Sequence, residues 1–120
     1  MKNYRDLRIY QIAFELAVRT YKFSFQLPEQ EKYEIGRQMR KSSMSVKDNI
    51  VEGYGRRRYK SEFVRFLIIS HASSDEITSQ LEVIKILYPE LPETIKLLNE
   101  YYDLGKQIFS FINYVENNWV

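Results

Sequence analysis

Apolar positions recur along the chain with the spacing of helices. Ile9, Ile12, Leu16, Phe23 and Leu27 form one stripe, and Tyr10, Phe14, Ala17, Tyr21 and Phe25 form a second beside it, across residues 6–26, which hold no glycine or proline. The spacing predicts a first long helix whose apolar sector is wider than one neighbouring helix requires. Pro28 ends it, because the ring disfavours helical geometry in Leu27 and cannot donate to the ladder. An acidic turn over residues 29–34 leads into the next element.

The stretch over residues 38–55 organises the rest. Ile35, Met39, Ser42, Val46, Asn49 and Gly53 recur in steps of four and three, a second helical stripe facing a core. This stripe is small and polar. Ser42, Ser43, Ser45 and Gly53 allow a neighbour to approach closely, while an interior Asn49 without a hydrogen-bond partner would cost about 1–3 kcal/mol. Gly53 and Gly55 are expected to end the helix through left-handed geometry.

Residues 56–60 then read as an exposed basic connection. Ser61 is the expected N-cap of a third helix, with Glu62 in its first turn. The stripe Phe63, Phe66, Ser70, Ser73, Ile77, Leu81, Ile84 and Tyr88 runs for about seven turns at 3.6 residues per turn. Small residues again sit in its middle, at Ser70, Ala72, Ser73 and Ser74, level with the small face of the second helix.

Pro89 and Pro92 make a rigid break, and Pro92 suits the first position of a fourth helix. Two stripes follow, Ile95, Leu98, Tyr102, Phe109 and Ile112 beside Leu97, Tyr101, Leu104, Ile108, Phe111 and Val115. Four helices with short connections predict a single all-α domain over residues 1–120, an antiparallel up-down four-helix bundle.

Composition changes this picture in two places. With no cysteine among 120 residues, disulfides and thiolate metal sites are excluded. The polar N-terminus and the absence of any apolar run of about 20 residues predict a cytoplasmic chain with neither signal peptide nor membrane span. The net charge of +2 hides a segregation: residues 37–65 carry nine Lys or Arg against three acids, residues 66–120 three against eight.

Asn49 and Glu52 on the second helix, and Ser73 and Glu76 on the third, read as a structural polar core that fixes helix register. The competing reading makes the carboxylates acid–base or metal-binding groups. A di-iron bundle, however, needs Glu-x-x-His on each of two helices, and His71 is the only histidine. Arg65 and His71 resemble the loose Arg-x5-His motif of HEPN-type ribonucleases. Six positions rotate a side chain by about 120 degrees, so an unbent helix does not bring the pair to one face. Gly53-Tyr54-Gly55 is too short for a phosphate loop, and there is no nucleophile elbow. No catalytic residue, metal or cofactor is therefore expected.

The basic middle points elsewhere. Arg37, Arg40, Lys41 and Lys47 on the second helix, with Arg56, Arg57, Arg58 and Lys60 after it, are expected to form one patch near that end of the bundle. With Tyr54 and Tyr59 interleaved, it could meet phosphates and stack on bases. The plainer alternative is a solvated face whose charges serve solubility or pair with acids of the fourth helix.

Asp6-Leu7 with Tyr10-Gln11 and Ala13, Leu27-Pro28 with Glu31, Gln38-Met39-Arg40 through Ser45 to Asn49-Ile50-Val51-Glu52-Gly53, Glu62-Phe63, and Ser73-x-x-Glu76 together resemble the four-helix-bundle proteins encoded in 23S rRNA intervening sequences. The resemblance spans nearly the first 80 residues, departing at Ala72 and Ser74, where members usually carry Gly and Leu. It implies a bacterial bundle assembling as a homopentamer, with no established catalysis. A related protein, the accessory variability determinant of diversity-generating retroelements, binds a reverse transcriptase and nucleic acid through a basic surface. The expected function is thus a non-catalytic homo-oligomer that contacts RNA, DNA or a nucleic-acid-handling protein. A metal-independent ribonuclease using Arg65 and His71, and a purely structural assembly protein, are the alternatives.

Overall fold

A computed structural model describes residues 3–120; the first two residues of the expected polar N-terminus and single domain lie outside the described residues. Among the described residues every regular element is helical. A 3-10 turn at Tyr4–Asp6 leads into α1 (Arg8–Ser24), a single turn α2 (Glu29–Lys32), then α3 (Ile35–Gly55), α4 (Lys60–Leu87) and α5 (Glu93–Asn118). The four long helices close a ring of contacts. α3 packs between α1 and α4, and α5 packs on both α4 and α1, in a body of 48 × 20 × 20 Å.

The interior follows the predicted stripes. Leu16 and Phe23 of α1, Met39, Val46 and Ile50 of α3, Ile77, Leu81 and Ile84 of α4, and Leu97, Leu104 and Ile108 of α5 are buried. Leu67 joins them although the predicted stripe passed it over for Phe66, which is only half-buried. The second stripe of α1 and the first of α5 do not each share one environment. Ala17 is buried while Phe14 and Tyr21 are exposed, and Leu98 and Ile112 are buried while Ile95 and Phe109 are exposed.

Hydroxyl groups join α3 to α4. Ser45 and Ser73 share a hydrogen bond at 2.7 Å, Ser70 donates to the Val46 carbonyl at 2.7 Å, and Gln80 Nε2 donates to Ser42 at 3.1 Å. Asn49 donates to the Ser45 carbonyl at 2.8 Å and to its hydroxyl at 3.0 Å. Of the four residues expected to form that polar core, Ser73 bonds across the seam to α3 and Asn49 bonds within α3 to Ser45. Glu52 and Glu76 are corrections to that expectation, since both are exposed. Asn49 and Ser73 already stand at one edge of the buried stripes of their helices, and, three positions on, each carboxylate lies about 60 degrees further round, on the solvent side. Glu52 instead lies 4.0 Å from Arg56 on the surface.

Two predicted helix ends also differ. No glycine among the described residues has a positive φ, so α3 does not end through left-handed geometry; Arg56 closes it at φ −106°. Gly53 is buried inside the last turns of α3, where a Cβ would lie 3.1 Å from Phe66 Cβ and 3.2 Å from the Phe63 carbonyl oxygen. Its role is close approach of α4. α4 starts one residue before Ser61, from an extended Tyr59, and no side chain caps it. Glu62 does stand in the first turn.

On the opposite side, α1 and α5 are tied by polar groups. Arg19 reaches Glu93 at 2.9 Å and Glu100 at 2.7 Å, and its guanidinium holds the Glu100 carboxyl below the ordinary range. The Thr20 and Tyr101 hydroxyls share a buried hydrogen bond of 2.8 Å. Burial pushes the Tyr101 phenol well above its ordinary value, more than the hydrogen bond to Thr20 lowers it. Because the raised value belongs to the folded state, this contribution is intact below the unfolded tyrosine value of about 10 and is lost as pH climbs beyond it. Urea unfolding should accordingly show stability falling above about pH 10, and Tyr101→Phe should flatten that fall while costing about 1 kcal/mol at neutral pH.

Candidate nucleic-acid interface

The basic residues gather where α3 ends and α4 begins, and aromatic rings hold them there. Tyr54, in the last turn of α3, carries the Arg57 guanidinium 4.1 Å above its ring, and Arg57 Nη1 donates to the Tyr54 carbonyl at 2.9 Å. Phe66 receives two guanidiniums, Arg56 at 4.8 Å and Arg65 at 4.4 Å from the ring centroid. Arg58 lies 5.9 Å from the Tyr59 ring and has no carboxylate partner among the described residues. Guanidinium faces laid on rings keep their N–H edges directed outward, which is the geometry phosphate recognition uses.

Acids share this end of the molecule, Glu52 and Glu62 beside Arg56 and Glu116 beside Lys60. Glu62 accepts from Arg56 at 3.1 Å and from Arg65 Nε at 2.9 Å, and the bond from Arg65 holds its carboxyl below the ordinary value. Residues 52–65 nevertheless carry five cations against two acids. The C-terminus of the chain braces the cluster from behind. Trp119 Nε1 donates to the Arg57 carbonyl at 3.2 Å, and Lys60 Nζ donates to the Glu116 carbonyl at 3.1 Å.

The other predicted interface residues lie elsewhere. Arg37 and Lys41 are exposed on the first turns of α3, and the 19 positions from Arg37 to Arg56 correspond to about 28 Å of helix. The eight residues therefore fall into groups at the two ends of α3, with Lys47 midway between them, instead of one patch. Arg40 faces inward: it donates to Ser24 Oγ at 2.7 Å and to the Lys32 carbonyl at 3.0 Å, and packs 4.3 Å over Phe25. It clamps the end of α1 and α2 onto α3. Lys47 is half-buried, with its ammonium 2.7 Å from Asp48.

Sequence reading missed the part played by Arg65, Phe66 and Trp119. Arg65 stands three residues after Glu62, a pairing distance on a helix, and that spacing was the available signal. Nothing local announced that Trp119, 62 positions from Arg57, would return to it. Arg65 and His71 are not brought together. Arg65 is committed to Glu62 and Phe66, whereas His71 lies beside Phe109 of α5, its ring centroid 6.1 Å from that ring, with Nδ1 3.7 Å from Asp75 Oδ2. Among the described residues no group of three or more His, Asp or Glu side chains is placed to hold a metal, and no helix is long and apolar enough to cross a membrane.

The family model described as 23S rRNA-intervening sequence protein matches residues 5–110. A crystal structure from Bacteroides thetaiotaomicron, described as a protein with unknown function from the S23 ribosomal protein family, is similar in fold. It is 22% identical, covers 88% of this chain and 95% of its own, and has a TM-score of 0.78. No curated protein matches.

Proposed function

The chain belongs to the 23S rRNA-intervening sequence protein family, and from that premise we propose that it is a non-catalytic, self-associating bundle whose basic end contacts structured RNA or DNA. A protein that handles nucleic acid would meet the same surface. The observation that carries this reading is the arrangement of Arg57 and Arg58, exposed and stacked on Tyr54 and Tyr59 at one end of the molecule. Arg56 is partly neutralised by Glu62, so Arg57 and Arg58, with Lys60, supply most of the phosphate contacts.

Neutralising about three phosphates predicts a roughly 40-fold loss of RNA affinity between 50 and 200 mM monovalent salt. Fluorescence anisotropy with a hairpin RNA should show that dependence. Changing Arg56, Arg57 and Arg58 together to Ala should weaken binding at least about 10-fold and flatten the salt slope, whereas Arg37→Ala with Lys41→Ala should change it little. Equal weakening by the two sets would remove the basic end from the proposal.

The helix order is read as antiparallel up-down, supported by four- and five-residue connections between the long helices α3, α4 and α5. Self-association is supported by apolar side chains left outside the bundle. Phe14 and Tyr21 of α1 stand beside Met44 of α3, exposed by 48, 55 and 45% respectively. Burying such groups contributes about 25 cal/mol per Å², and a pentamer is the state that the family resemblance suggests. Light scattering should return a multiple of the 14.5 kDa chain mass. A monomer mass for the unaltered chain would end this part of the proposal, and Phe14→Glu with Tyr21→Glu should produce one.

A further inference from the structure

Between α4 and α5, on a face away from the arginine cluster, lies a cleft of about 430 Å³. Its floor is formed by Ser74 and Gly105, both buried. Two features of that floor work against stability. The Ser74 hydroxyl is buried and has no hydrogen-bond partner, an arrangement that native interiors avoid. Gly105 lies inside α5, where glycine is less favourable than alanine, yet packing does not demand it. A Cβ there would meet only Ser74 Oγ, at 3.5 Å, an ordinary van der Waals distance.

Local choices that cost stability without a packing reason concentrate at functional sites. Alanine at position 105 would set a methyl group against the hydroxyl; with glycine only the α-carbon stands in front of it. The walls supply the rest of a binding site. Phe109 and Tyr102, both partly exposed, offer aromatic surface, and His71 stands at the rim with Asp75 3.7 Å away. Lys106, also on the rim, has no carboxylate partner among the described residues. Among the described residues lining the cleft, Lys106 is the lysine or arginine and Asp75 the acid, so an anion would sit on the Lys106 side.

We propose that this cleft binds a small molecule that joins a flat ring to one anionic group, the ring lying against Phe109, the anion beside Lys106, and a polar atom completing the Ser74 hydroxyl. The cleft volume falls in the range of small-molecule sites, and the mixture of apolar wall and few polar groups is their usual character. The proposal does not depend on RNA binding or on the assembly state.

Saturation-transfer NMR on the full chain tests it with phenyl phosphate, benzoate and uncharged benzyl alcohol as probes, the first two distinguishing a phosphate ester from a carboxylate. One or both anions should give saturable transfer to ring protons with a dissociation constant on the order of 1 mM, at least about fivefold tighter than the alcohol. Gly105→Ala, Ser74→Ala and Lys106→Gln should each weaken binding at least about threefold, because each removes one feature of the site. Gly105→Ala and Ser74→Ala should melt no lower than the unaltered chain. Equal binding of benzyl alcohol, no transfer to either anion, undiminished binding in any of the three variants, or a lowered melting temperature in Gly105→Ala or Ser74→Ala would overturn the proposal.

Discussion

Phe63→Ala is expected to destabilise the chain by about 4 kcal/mol, the range for removing a fully buried aromatic side chain and leaving the space unfilled. Phe63 is wholly inaccessible to solvent. Its ring meets Tyr54 of α3 at 6.3 Å, Phe111 of α5 at 5.9 Å and Trp119 beyond α5 at 5.2 Å, each nearly edge to face. One truncation therefore loosens three elements at the same end of the bundle. At this chain length the loss corresponds to a fall of roughly 15 °C in melting temperature.

The consequence reaches the basic surface. Tyr54 is the platform under the Arg57 guanidinium and Trp119 holds the Arg57 backbone carbonyl, so both supports of that residue rest on Phe63. Well below its melting temperature, Phe63→Ala should bind hairpin RNA more weakly than the unaltered chain. Its single tryptophan, Trp119, should emit further to the red because its ring partner is gone. Phe109→Ala supplies the contrast, since a ring that is 56% exposed should cost about 1 kcal/mol or less. A loss below about 1 kcal/mol for Phe63→Ala would mean that the three rings do not form a packed core.

The helices were legible because their signals are local. Periodicity placed Met39, Val46, Ile77, Leu81 and Leu104 inside, and proline marked the breaks after Leu27 and before α5. The family itself could be recognised from motifs running through the first three long helices. Side-chain partnerships were less legible. Arg40 and Arg57 are both arginines in a basic stretch, yet one clamps Ser24 and Lys32 while the other lies on Tyr54 at the surface. That difference depends on which helix face meets which neighbour, and charge counting does not contain it. Glu52 and Glu76 show the same limit. Three-residue spacing groups them with Asn49 and Ser73, but those two already stand at the edge of the buried stripes, so the further turn of about 60 degrees puts each carboxylate in solvent.

The two glycines at the end of α3 separate packing from helix termination, and they should respond oppositely to substitution. Gly53→Val is expected to cost about 3 kcal/mol, through overpacking added to the poorer fit of a branched residue in a helix. The first carbon alone would stand 3.1 Å from Phe66 Cβ and 3.2 Å from the Phe63 carbonyl, and that carbonyl belongs to the backbone of α4. Relief requires moving α4 away, which also strains the Ser70 to Val46 and Ser45 to Ser73 hydrogen bonds along the same seam. At Gly55 a Cβ would meet nothing within 4 Å, and the backbone stays out of the left-handed region. Gly55→Ala should therefore raise stability by a few tenths to about 1 kcal/mol, because it removes backbone freedom from the unfolded chain at no cost in contacts. Urea unfolding of both variants at one fixed protein concentration makes the comparison. If Gly55→Ala proved the damaging change and Gly53→Val the mild one, helix termination would govern this turn, and the close approach of α3 and α4 at Gly53 would have to be given up.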